Sequence, residues 1–101
     1  MKQNLKNATV AILKDAIATY NKAYGTAFKS DLINQLEAVH MASSDTKQRE
    51  IVGCLLQGLR LAKRGNFNFA ARNAIRALSH MEGDRTMLID QFCNTAGITR
   101  L

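Results

Sequence analysis

No proline interrupts this chain from one end to the other, and apolar side chains recur three and four positions apart along nearly its whole length. Proline removes a backbone donor and clashes with the preceding turn, so a chain without it leaves long helices unobstructed. Spacing of three and four places apolar groups on one stripe of a helix, whereas a strand would alternate them. Strand-like alternation is almost missing. The expected fold is therefore all-α.

The first helix is predicted over about Thr9 to Tyr24, with Val10, Leu13, Ile17, Tyr20 and Tyr24 as its buried stripe. Gly25 can take the left-handed conformation that stops it. Ser30 is the expected N-cap of a second helix, about Asp31 to Met41, with Phe28, Leu32, Leu36 and Val39 on one side. The stretch "ASSDTKQRE" is the most polar, and Ser44 or Asp45 caps a third helix there. That helix, about Thr46 to Arg64, has a broad apolar arc of Ile51, Val52, Cys54, Leu55, Leu56, Leu59, Leu61 and Ala62, which predicts a central position with neighbours on two sides. Gly65 and Asn66 turn the chain into a fourth helix, about Phe67 to Met81, burying Phe67, Ala70, Ala71, Ala74 and Leu78. Asp84 caps a short fifth, about Arg85 to Thr95, with Leu88 and Phe92 inward, and the tail packs through Ile98 and Leu101. Connections this short make sequence neighbours antiparallel. The expectation is one compact domain over residues 1–101, a bundle of four to five antiparallel helices. One hundred and one residues suit a single modest core.

The segment "GLRLAKRGNFNFAARNAIRAL" resembles one tetratricopeptide helix hairpin. Gly58, Gly65, Ala70 and Ala77 stand where that repeat keeps small residues, and "KRGNF" stands at its inter-helix turn. The resemblance covers about a third of the chain and implies two closely packed antiparallel helices. Thirty-four residues earlier Tyr24 replaces the repeat's glycine, and Cys54 and Gln57 replace its large apolar residues. A solenoid, which needs about three units, is not implied.

Charge is the second constraint. The formal net charge is +6, which favours acidic partners of some kind. No acidic residue lies between Glu50 and Glu82, while Arg60, Lys63, Arg64, Arg72 and Arg76 all do. Arg60 and Arg64 are one helical turn apart, as are Arg72 and Arg76. On an antiparallel hairpin both pairs can reach one surface near the turn. The planar guanidinium fork suits phosphate and carboxylate alike. Asn68, Asn73 and Ser79 add neutral donors on the outer side of the fourth helix. Three readings compete: a solvated face neutralised by Glu50, Glu82, Asp84 and Asp90; a phosphate-binding surface; and a dock for an acidic protein. Phe69 decides part of this. It lies about 160° from the Phe67 stripe on a helical wheel, so it is either a bridge to another helix or an exposed anchor, and the bridge is the expectation.

Catalytic chemistry has little to stand on. His40 and His80 are the only histidines, and Cys54 and Cys93 sit in apolar helical patterns as free, structural thiols. No paired metal-ligand spacing, phosphate loop or nucleophile elbow occurs. The would-be recognition helix "FAARNAIRAL" is poor in base-reading residues for a helix-turn-helix. The N-terminal segment lacks a signal-peptide hydrophobic block, and no apolar run approaches the ~18 residues of a membrane span. The sequence thus predicts a cytoplasmic, non-enzymatic binding protein without cofactor or metal. It acts as an adaptor, inhibitor or regulator of the size and charge that phage- or plasmid-borne proteins have. Its partner is an acidic protein or nucleoprotein, met through Arg60, Lys63, Arg64, Asn68, Phe69, Arg72, Asn73 and Arg76. Sequence-nonspecific DNA or RNA binding by the same arginines is the alternative. A homodimer burying Leu61, Phe69, Ile75 and Ile89 is a further option.

Overall fold

The computed structural model describes residues 2–101, with side chains from Asn4 onward; Met1, within the expected domain span, lies outside the described residues. Five helices follow one another: α1 (Lys2–Tyr24), α2 (Leu32–Ala42), α3 (Thr46–Lys63), α4 (Phe67–Glu82) and α5 (Arg85–Ala96). The described residues contain no strand.

Helix α1 starts a full two turns earlier than its apolar stripe suggests. Its polar beginning has no helix breaker, and Leu5 and Ala8 find cover against α4 and α5. Val10 is 37% exposed, so the stripe runs instead through Thr9, Leu13, Ala16, Ile17 and Tyr20. Thr9 is completely buried, which a hydroxyl tolerates only with a partner; it donates to the Phe67 carbonyl at 3.2 Å. Tyr20 is also fully buried, stacks on Tyr24 at 4.8 Å and receives a hydrogen bond from Gln48 Nε2 at 3.1 Å. Asn21 holds the following connection in shape. Its side chain donates to the Phe28 carbonyl and accepts from the Phe28 amide and the Thr26 hydroxyl.

Asp31, not Ser30, occupies the N-cap of α2. It sits in the left-handed region at φ 50° and accepts from the Asn34 side chain instead of a backbone amide. Asp45 and Asp84 cap α3 and α5 as their chemistry predicts, accepting from the Lys47 and Met87 amides. Asn66 stands at the α4 cap without a side-chain bond.

Helices α3 and α4 form the hairpin at the centre. The turn closes with Gly65 at φ 81°, its amide donating to Ala62 and that of Asn66 to Leu61. This paired arrangement needs a left-handed residue, which glycine supplies without a Cβ clash. Glu50 lies opposite His80, and Gly58 opposite Ala70 and Asn73, so the two helices run antiparallel. Helix α2 packs on α3, α5 packs on α4, and α1 lies across α3, α4 and α5. Contacts of Leu13 with Gly58 and of Tyr20 with Gln48 orient α1 antiparallel to α3.

The core has two centres. The larger gathers Leu13, Ile17, Tyr20, Leu36, Ile51, Val52, Leu55 and Leu78 between α1, α2, α3 and α4. The smaller joins Ala8, Ala71, Ile75, Phe92 and Ala96, with Ile98 and Leu101 packed against it. Ile75, expected as a leftover apolar residue, is 1% exposed there because α5 and the tail cover it. The result is a compact all-α bundle with a radius of gyration of 12.9 Å, near the ~13 Å typical of 100 residues.

Candidate functional site

The antiparallel register decides where the arginines go. Cys54 lines one cleft with Arg76, while Arg64 lies ten residues farther along α3, a separation of about 15 Å on a helix. Arg76 is therefore well away from the turn, and the four arginines divide among different neighbours. Arg60 reaches across to α2 and pairs with Glu37. That partner stands outside the acids the sequence offered, because only the packing of α2 on α3 brings it close. Both members are nearly half exposed, so the pair adds little stability.

Arg72 turns the other way, towards the tail, and donates to the Leu101 main-chain oxygen. Its guanidinium also lies 5.1 Å from the centroid of the Phe69 ring. Phe69 itself is 51% exposed. The expected bridge to another helix does not form: Ala70 of the same turn is buried and the Phe67 carbonyl faces α1, and Phe69 points to the opposite, uncovered side. Lys63 and Arg64 end α3 nearby. Lys63 borders a shallow cleft with Ser30, Asp31 and Leu59, and Arg64 is exposed. Among the described residues neither forms an ion pair.

The two asparagines are less free than their helical positions suggest. Asn73 donates to the Phe69 carbonyl at 2.9 Å, which uses one of its protons within its own helix. Asn68 is half-buried, and its Oδ1 is shielded from water without a hydrogen-bond partner.

On the open side of the hairpin, Glu50, Gly53, Cys54, Asn73, Arg76 and His80 line a cleft of about 500 Å³. No local pattern marks the placing of Cys54 and His80 on one cleft; it depends on the register of α3 against α4. His80 Nε2 stands 3.8 Å from Glu50. Burial pushes the Cys54 thiol above its ordinary range, outweighing the opposing influence of Arg76, and Glu50 pushes the same way. The thiol is therefore mostly protonated at neutral pH and is a weak nucleophile. Among the described residues no three His, Cys, Asp or Glu side chains converge as a metal site.

A third grouping was illegible in the sequence. Arg72, Arg85 and Arg100 come from α4, α5 and the tail and surround Ile75, Ile89 and Leu101, leaving a cleft of about 250 Å³. No helix among the described residues is long and apolar enough to cross a membrane. Compared with protein-family models, curated proteins and solved structures, the chain matches none.

Proposed function

We propose that this is a small basic, non-enzymatic binding protein, an adaptor, inhibitor or regulator, that docks onto an acidic protein or nucleoprotein surface through the first turns of α4, where Phe69 and Arg72 stand together. The observation that carries the reading is Phe69: a large ring, half exposed, with the Arg72 guanidinium over it. Exposing a phenylalanine forfeits burial energy of about 1.5–3 kcal/mol that a core position would provide. Aromatic and arginine side chains are the types that dominate protein interfaces, especially when adjacent. The ring holds the guanidinium by a cation–π contact, which lowers the entropy lost when a carboxylate binds. A stacking base would find one face of the ring already taken by Arg72, and a single such ring is a poor platform for successive bases, which favours a protein partner over single-stranded nucleic acid.

The test places a photo-crosslinking phenylalanine analogue at position 69 and compares it with the same chain carrying Arg72→Glu. Acidic proteins crosslinked by the first and lost with the second are the expected result. In parallel, anisotropy against labelled duplex DNA and single-stranded RNA is run across a salt series. Tight binding that falls steeply with salt, and is lost in Arg72→Glu/Arg76→Glu, would move the function to nucleic acid.

A further inference from the structure

The cleft between α4, α5 and the tail has an unusual balance of charge. Three guanidinium groups line it, and none of its lining side chains is acidic. Among the described residues, no carboxylate side chain forms an ion pair with Arg72, Arg85 or Arg100. The nearest acid in sequence, Asp84, is engaged in capping α5 through the Met87 amide. Arg85 is the first residue of α5, and the Asp84 carboxylate offsets the positive end of that helix. All three are exposed; Arg72 is held by Phe69 and the Leu101 main-chain oxygen. A carboxylate at Leu101 would offset one of the three charges and leave two.

Like charges brought together within a Debye length repel, and the arrangement is relieved when an anion enters. The floor restricts which anion. Ile75 behind it is buried, and the half-buried Ile89 and Leu101 offer the accessible apolar lining. The volume, about 250 Å³, falls below the ~300–1,000 Å³ usual for small-molecule pockets. It suits one anchoring side chain with a charged neighbour.

We propose that this cleft recognises an acidic–apolar peptide segment of a protein partner: a carboxylate between Arg85 and Arg100, beside an aliphatic or aromatic side chain seated on Ile89 and Leu101. The proposal rests on the docking function above and names the chemistry of the partner. Arg72 connects the two surfaces, because it touches Phe69 on one side and lines the cleft on the other. Phe69 then extends the footprint beyond the pocket.

The experiment pans a displayed library of random 12-residue peptides on the full chain at low salt. Enriched peptides are synthesised and titrated against the wild type and two double variants, Arg85→Glu/Arg100→Glu and Lys63→Glu/Arg64→Glu. Both variants change the net charge by the same amount, so long-range attraction falls equally and any difference is local. The expected result is enrichment of Asp or Glu next to Leu, Ile or Phe, with a loss of about tenfold or more in the first variant and much less in the second. If acidic–apolar peptides are enriched but lose affinity equally in both variants, or more in Lys63→Glu/Arg64→Glu, the cleft is not their site, although docking to acidic partners stands. If no acidic peptide is enriched, both readings fall. Should Arg85→Glu/Arg100→Glu fail to fold, Arg85→Gln/Arg100→Gln replaces it, and wild-type affinity in that variant overturns the proposal.

Discussion

At the scale of single residues, the buried polar groups carry the clearest consequences. Thr9 is fully enclosed, and its one hydroxyl ties α1 to the first residue of α4. Thr9→Val keeps the shape and removes that bond, leaving packing almost unchanged. The expected cost is about 1 kcal/mol, the net worth of one hydrogen bond, read as a lower midpoint in urea denaturation. An unchanged or raised midpoint would show that the bond contributes nothing. Cys54 gives a prediction in pH. Its raised thiol pKa means that the folded chain holds the proton more tightly than the unfolded chain does. The stabilisation is complete below the ordinary thiol value of 9.0 and is lost as pH climbs through the folded value. Stability should therefore decline above about pH 9, and Cys54→Ala should flatten that decline. Equal slopes in the two proteins would sink the account. Phe69 illustrates what phase can say. Its angle on the helix set it apart from the Phe67 stripe, but only the absence of a neighbour decided that it is exposed.

At the scale of elements, two glycines of α3 make a matched pair. A Cβ on Gly58 would come within 3.0 Å of Leu13 Cδ2 and 3.3 Å of the Ala70 carbonyl oxygen. A Cβ on Gly53 would meet only the His40 ring, at 3.8 Å. Alanine gains roughly 1 kcal/mol over glycine in a helix interior, whereas overpacking costs about 1–3 kcal/mol. Gly53→Ala should thus stabilise by about 0.5–1 kcal/mol. Gly58→Ala should destabilise by about 1 kcal/mol, because the Ala70 oxygen belongs to the backbone and cannot swing aside. Thermal melts of the two variants moving in the same direction would contradict this. The tetratricopeptide-like spacing had already placed a small residue at position 58, so the close approach of α3 and α4 was legible. The start of α1 was not, since the cover for Leu5 and Ala8 comes from α4 and α5, far along the chain.

At the scale of the whole molecule, charge is the dominant feature. The chain carries a net charge of +6, and among the described residues Arg60 alone of the arginines and lysines is paired with a carboxylate side chain. Self-repulsion of this kind weakens the compact state and is screened by salt. The melting temperature should rise by a few degrees between about 10 and 150 mM salt; a fall would mean that attractive ion pairs dominate. Helix class, helix order, the hairpin turn and most core positions follow from the sequence, because periodicity, caps and glycines act over one or two turns. The partners of the arginines do not. Arg60 pairs with α2, Arg72 meets the tail, and Arg85 and Arg100 join it in one cleft, all across long stretches of chain. Such meetings depend on which helix covers which, and on the register between them. A basic helical bundle follows from local pattern along the chain; which of its charges are neutralised and which converge follows from how the helices pack.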